Sequence, residues 1–361
     1  MNTGGKVFNK SSILVPLTAI ILGLITGAIV MLAGGYDPIL AYSSLFGKLF
    51  EQPYDRAEAV RAITPLIFTG LAIAFAFRTG LFNIGAEGQF VMGMTGATII
   101  GVSIDGLPWI IHAPLAVIVG AVFGGLWAAI AGWLKAARGV NEVISGIMLN
   151  WIALFLANFL MARFFVMPNQ QKTETVPGSA SMAIGWLSEL MDNARVHWGT
   201  LVAVICVVVF FIILWKTKLG YELRAVGHNP DAAHYAGMNV NRTLMKSMFI
   251  SGVFAGLGGA FEILGVFGYQ TVMAGLPGYG FDGIAVALLG GNTPIGVLLG
   301  AVLFGGLSYG SAGMSFGAEV PPEIVRIVIG SVVFFVAAHG IVKFLLKPFM
   351  ARRADKRKEA A

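Results

Sequence analysis

Three side chains able to form strong hydrogen bonds, Asn83, Glu87 and Gln89, fall inside one largely apolar run, Arg78-Thr79-Gly80-Leu81-Phe82-Asn83-Ile84-Gly85-Ala86-Glu87-Gly88-Gln89-Phe90. A carboxylate is costly in hydrocarbon, so such a group marks by default a functional place with a partner. Two readings are open for Glu87: it lines a passage for a polar solute, or it caps a helix or pairs with Arg78 at the interface. Asp282 stands in a second glycine-rich run, Gly275-Leu-Pro-Gly-Tyr-Gly-Phe-Asp-Gly-Ile, followed by a short apolar segment and Gly290-Gly-Asn-Thr-Pro294. Asn150 and Asn158 lie about two turns apart on one helix face, where they line the same passage or bond neighbouring helices.

This inventory does not make an enzyme. It lacks a nucleophile beside a base, paired carboxylates at one site, and any His or Cys cluster at metal-ligand spacing. Glu262 and His339 each stand alone. The glycines near Asn83 superficially resemble a phosphate loop, but no Lys-Ser or Lys-Thr follows. Gly-x-x-x-x-Gly-Lys-Ser/Thr occurs nowhere, so ATP hydrolysis must come from a separate protein. No cofactor or metal is expected on this chain.

The elements that position these residues are membrane helices. The chain is 57% hydrophobic and 12% charged, with mean hydropathy +0.81, whereas soluble domains carry about 25% charged residues. Ten apolar segments recur, at residues 13–33, 62–77, 81–104, 113–134, 143–165, 200–215, 247–268, 279–290, 294–313 and 323–346. Most approach the ~20 residues that cross a bilayer. The first reads as an uncleaved anchor. The expected fold is all-α and polytopic, with about ten transmembrane helices in a single permease domain spanning residues 1–361. The broken third segment and the short eighth occupy matching positions, the strongest sequence pointer to a transporter's central site. Segments two to five and seven to ten then form inverted repeats. Glycines four apart, at Gly23 and Gly27, Gly120 and Gly124, Gly252 and Gly256, and Gly296 and Gly300, let backbones approach closely.

Retained Lys and Arg mark the cytoplasmic side. With the N-terminus inside, only seven of the 24 basic residues fall outside (Lys48, Arg56, Arg61, Arg163, Lys172, Arg195 and Arg326). Both termini are therefore expected in the cytoplasm, and the chain in the plasma membrane. The net charge of +6 sits largely in cytoplasmic loops and a basic tail, residues 347–361. Anionic lipid headgroups account for that tail, and nucleic acid is not an expected partner. Cys206, alone in an apolar span, is read as packing. Of the outer stretches 34–61 and 167–199, the first reads as an amphipathic interfacial helix and residues 168–181 of the second as an irregular loop, and neither is a binding domain.

Residues 216–246 interrupt the spans with a charged island. Residues 222–226 read as a helical turn broken by Gly227, and Asn229-Pro230-Asp231 restarts a helix, since Asn caps and Pro is tolerated in a first turn. The product is a short helix across the cytoplasmic mouth. Here the residues resemble a known family. Gly220-Tyr-Glu-Leu-Arg-Ala-Val-Gly-His-Asn-Pro-Asp-Ala-Ala-His-Tyr-Ala-Gly237 resembles the coupling loop of ABC importer permeases for branched-chain amino acids, sugars and nucleosides. Gly80-Leu-Phe-Asn-Ile-Gly-Ala-Glu-Gly-Gln89 is similar to the simple-sugar and nucleoside branch, which works with basic-membrane-protein lipoproteins.

The resemblance implies two permease subunits, identical or paralogous, two ATPase subunits carrying ATP and Mg, and an external solute-binding lipoprotein. It places the ATPase contact on Glu222, Arg224, Gly227, Asn229, Pro230, Ala232, Ala233 and Gly237, and favours a nucleoside as solute. Phe82, Phe90, Met92 and Met94 could wall its path. A simple sugar is the alternative solute. A proton-coupled carrier using Glu87 and Asp282, or a passive channel, is the alternative class.

Overall fold

The computed structural model describes residues 10–104 and 106–338, with side chains from residue 17. The charges of the N-terminal tail, Asp105, His339, the end of the last segment and the tail 347–361 lie outside the described residues. Among the described residues the fold is helical, with three isolated β-bridges. The helices are α1 (Lys10–Ala33), α2 (Pro38–Phe50), α3 (Pro53–Phe77), α4 (Ala86–Ser103), α5 (Trp109–Arg138), α6 (Glu142–Phe164) and α7 (Gly185–Leu190). There follow α8 (Gly199–Lys216), α9 (Lys218–His228), α10 (Pro230–Tyr235), α11 (Val240–Phe261), α12 (Tyr279–Leu289), α13 (Pro294–Gly317) and α14 (Pro322–Ala337). A π-helical turn, Glu262–Phe267, prolongs α11. Among the described residues six stretches are long and apolar enough to cross a membrane: α3, α5, α6, α8, α11 with its π turn, and α13.

The chain divides into two compact units, one of them Phe50–Gly306. In the other, α1 and α14 cross where Gly23 rests on the backbone of Val332, and Ser331 Oγ donates to the Gly23 carbonyl at 2.9 Å. There α2 is the expected amphipathic helix, burying Ala41 and Leu45 and exposing Ile39 and Phe50.

Within Phe50–Gly306, glycine sets how closely the helices approach. Gly120 and Gly124 of α5 face Gly252 and Gly256 of α11, and Gly93 of α4 meets Gly256 as well, so these three backbones touch with no side chain between them. Phe90 of α4 packs against Gly258 and Gly259, and Phe75 of α3 packs against Phe210 and Phe254. The broken elements pack reciprocally, α4 on α11 and α12 on α3.

Helix boundaries differ from the sequence expectation at several places. Helix α3 begins at Pro53, nine residues before the expected 62, and Glu58 in this added stretch is neutralised by Arg61 at 2.7 Å and Arg195 at 2.7 Å. Helix α11 starts at Val240, capped by Asn239, whose side chain accepts from the Arg242 N–H. Helix α9 runs through Gly227 and stops only at Asn229.

Residues 167–199 form an irregular cover on the same unit. The Thr173 and Val176 amides donate to Gln270 and Gly268, and the Met182 amide donates to the Leu264 carbonyl at 2.8 Å, within the π turn. His197 lies beneath this cover, stacked on Phe261, with Nδ1 accepting from Gly199 and Nε2 buried without a partner among the described residues.

Burial lowers the His197 pKa from its ordinary 6.5 to about 4. The unfolded chain therefore takes up a proton that the folded chain refuses, and stability falls as pH drops from 7 towards 4, by on the order of 3 kcal/mol. Melting curves across that range should show this acid slope in the wild type and its loss in His197→Asn. Gly256→Leu should cost about 1–3 kcal/mol or more by overpacking. Gly306→Ala, where an added methyl meets nothing within 4 Å, should leave the melting temperature unchanged or raise it.

Candidate solute pathway and docking module

The two glycine-rich runs singled out by sequence meet in space. After α3 the chain turns through Gly80 (φ 75°) and stays non-helical to Gly85. Asn83 and Gln89 close a ring: Asn83 Nδ2 donates to Gln89 Oε1 at 2.8 Å, and Gln89 Nε2 donates back to Asn83 Oδ1 at 2.9 Å. Asn83 Nδ2 also donates to Ser251 Oγ, which donates to the Ala72 carbonyl at 2.6 Å. Asn150 accepts from the Gly88 amide at 2.8 Å and donates to the Ile84 carbonyl at 3.0 Å. These three side chains, all buried, hold the helix break in shape. Asn158 donates to the Met273 carbonyl at 2.8 Å and accepts from its amide at 2.9 Å, pinning the loop before α12. Polar groups buried in a bundle are satisfied in this way, because leaving them unpaired costs about 1–3 kcal/mol each.

Glu87, fully buried, does not turn to Arg78. Its two carboxylate oxygens accept from the Gly278 and Gly280 amides at the N-terminus of α12. Gly278 has φ 97°, a conformation that lets its N–H point back at the carboxylate. At the far end of the same helix, Arg78 Nε donates to the Asn292 carbonyl at 2.7 Å and Nη2 reaches the Gly291 carbonyl at 3.4 Å. An anion therefore faces the positive end of α12 and a cation the negative end. Asp282 stands in the first turn of α12, partly buried, its amide bonded to Gly278.

The start of α12 also borders a cavity of about 450 Å³, within the ~300–1,000 Å³ typical of small-molecule sites. Phe90 and Met94 of α4, Glu262 and Phe267 of the π turn, Tyr269 and Tyr279 line it. The Phe90 and Tyr279 rings lie 5.2 Å apart. Of the aromatic and methionine walls expected from sequence, Phe90 and Met94 face this space. Phe82 packs on Phe77, and Met92 sits among Val91, Ala153 and Ala157.

Glu262 was unremarkable in sequence except as a carboxylate inside a span, because its partners are distant in the chain. It accepts from the Tyr279 hydroxyl at 3.1 Å and lies 3.8 Å from Arg61 Nη1. Arg61 in turn donates to Glu58, and Glu58 also takes the amide and guanidinium of Arg195. That carboxylate strengthens the hold of Arg195, which lies outside the spans, on its proton. Among the described residues no cluster of His, Cys, Asp or Glu could hold a metal ion.

The charged island forms a compact module. Thr217 caps α9, and Asn229 Oδ1 caps α10 by accepting from the Ala232 amide at 3.0 Å. Asn229, Pro230, Ala232 and Gly237 are exposed, as is Tyr235 at 94%, whereas Ala233 is buried. Of the two alanines, then, only Ala232 presents its methyl outward. Gly227 faces inward, against the backbone of Arg78 and Thr79, and Gly80 lies over it in return. Glu222 sits 3.9 Å from Lys218. Arg224 and Arg78 both lie over the Trp215 ring, at 5.9 and 5.4 Å from its centroid.

A family model described as a branched-chain amino acid transport system permease component matches residues 57–337. The chain belongs to this permease family. It is 49% identical over 345 residues to the guanosine ABC transporter permease protein NupP of Bacillus subtilis, covering 96% of this chain and 99% of that one. It is 41% identical to the nucleoside ABC transporter permease protein NupB of Lactococcus lactis, covering 97% and 98%. The glucose ABC transporter permease protein TsgB13 of Haloferax volcanii is 34% identical, with 91% and 88% covered.

Glu87→Gln replaces one of the two acceptors of the α12 amides by a donor and should destabilise that helix by about 1–3 kcal/mol. Hydrogen exchange should show faster exchange confined to residues 278–292, with the α5 and α11 amides unchanged. A uniform rise over the whole bundle would contradict a local clamp on α12.

Proposed function

We propose that this chain is the membrane-spanning permease subunit of an ATP-driven ABC importer, that its solute is a nucleoside, and that it works by alternating access. One observation carries the mechanism. The docking module, the turn at Arg78, helix α12 and the cavity are joined by direct contacts: Gly227 rests on Arg78, Arg78 and Glu87 hold the two ends of α12, and Tyr279 of α12 lines the cavity. Displacement of α9 and α10 is thus transmitted to the cavity wall through backbone contacts and charge-assisted hydrogen bonds.

In this reading the ATPase subunits carry ATP and Mg and bind the exposed face of α10, with Asn229, Pro230, Ala232 and Tyr235 at the contact. Arg224 and Glu222 border it, while Gly227 and Ala233 shape the module from within. An external lipoprotein delivers the solute, and a second permease subunit, identical or paralogous, completes the passage. The finer architecture is about ten transmembrane helices, α1, α3, α4, α5, α6, α8, α11, α12, α13 and α14, in a plasma membrane with both termini cytoplasmic. Inverted repeats are supported by the reciprocal packing of α4 on α11 and of α12 on α3. The nucleoside reading draws on the two relatives at 49% and 41% identity, named as guanosine and nucleoside permeases. The relative named for glucose makes a simple sugar the second reading. Glu87, engaged by two amides of α12, is part of the framework in this scheme rather than a proton carrier.

Ala232→Arg places a long cation on the exposed side of α10. It should abolish copurification with the ATPase subunit while leaving the amount of membrane-inserted permease unchanged. Undiminished copurification would overturn the docking assignment, and ATP-independent uptake driven by a proton gradient would overturn the importer reading.

A further inference from the structure

The cavity beside α12 has an asymmetric chemistry. Its walls are mostly carbon, with the rings of Phe90, Phe267, Tyr269 and Tyr279 and the flexible Met94, surfaces suited to a flat heterocycle. Among its lining residues Glu262 is the single charged one. A carboxylate offers acceptors only, through two oxygens in one plane. At Glu262 one oxygen takes the Tyr279 hydroxyl, and Arg61, 3.8 Å away and already bound to Glu58, balances the charge from outside the cavity lining. The π turn carries Glu262 to this wall, and Tyr279 holds its orientation from the first residue of α12.

We infer that Glu262, oriented by Tyr279, is the specificity residue of the permease, accepting hydrogen bonds from a pair of adjacent donors on an unphosphorylated nucleoside. This inference rests on the nucleoside reading above. Two donor pairs have the required geometry: the N1–H and 2-amino group on the edge of a guanine base, and the 2′- and 3′-hydroxyls of ribose. Both present two hydrogens a carboxylate can accept side by side. A phosphate brought to the same wall meets an acceptor-only carboxylate and no cation among the lining residues, so a nucleotide gains no charged partner there.

The test measures steady uptake by the intact importer in cells, at external concentrations that saturate the binding protein, so that permease passage limits the rate. Radiolabelled guanosine, inosine and 2′-deoxyguanosine are compared in wild type, Glu262→Gln and Tyr279→Phe. Inosine lacks the 2-amino group, and 2′-deoxyguanosine lacks one hydroxyl of the diol. Glu262→Gln should lower guanosine uptake at least tenfold with normal assembly of the complex. It should leave unchanged the rate for whichever analogue lacks the pair that Glu262 reads, and that analogue identifies the pair. Tyr279→Phe removes only the orienting hydroxyl and should shift guanosine in the same direction by about a third to half as many decades. An equal fall for all three solutes would show that Glu262 merely supports the bundle and would overturn the inference, as would unchanged uptake of guanosine. Absence of nucleoside uptake in the wild type would overturn the nucleoside reading and this inference with it.

Discussion

Helix α12 is held at both ends by charges from a single run of sequence. Glu87 accepts the amides that open it, and Arg78 donates to the Gly291 and Asn292 carbonyls in the turn just beyond its last residue. An 11-residue helix covers only about 16 Å, too short to cross a bilayer on its own. Its free ends would leave unpaired N–H and C=O groups in a low-dielectric interior, a cost of several kcal/mol for each group. Glu87 lowers that cost at the N-terminus, the Gly290, Gly291 and Asn292 amides take the Val286, Leu288 and Ala287 carbonyls at the other end, and Arg78 binds the turn beyond them. The short helix can therefore end within the bundle, with Tyr279 of its first turn at the cavity wall.

The glycine contacts have a complementary part. Because α4, α5 and α11 approach to backbone distance through Gly93, Gly120, Gly124, Gly252 and Gly256, that side of the bundle is rigid. It supplies a frame to which Glu87 of α4 ties the start of α12. Membrane bundles gain little from burying apolar surface in one another, since lipid is as apolar as leucine, so close backbone packing and interhelical hydrogen bonds carry the association. The ring of Asn83, Gln89, Ser251 and the Ala72 carbonyl is the polar part of this frame.

Much of this was legible in the chain itself. Each of the ten apolar segments overlaps a helix within the described residues, and the run 279–290 differs from α12 by one residue. The Asn229 cap and the close-packing glycine pairs on α5 and α11 followed from local chemistry. What could not be read was pairing across long separations. Glu87 and Arg78 stand nine positions apart, yet they serve opposite ends of one helix some two hundred residues later, a relation that no spacing rule encodes. The early start of α3 was hidden for the same reason: Glu58 reads as an interfacial charge until Arg195, more than a hundred residues away, neutralises it. The amides Asn83, Gln89 and Asn150 look like solute ligands in a list of intramembrane polar residues, and only the fold shows that their hydrogen bonds are already used.

The π turn at Glu262–Phe267 widens the helix by one residue without disturbing the glycine face that packs on α5. Its offset changes the azimuth of every side chain beyond Phe261, directing Glu262 to the cavity and Gly265 to His197. Gain or loss of one residue at this position would therefore swap the polar wall of the chamber for another part of the helix while the scaffold stayed in register. Such a bulge changes which side chains face the chamber while the glycine-packed scaffold keeps its contacts.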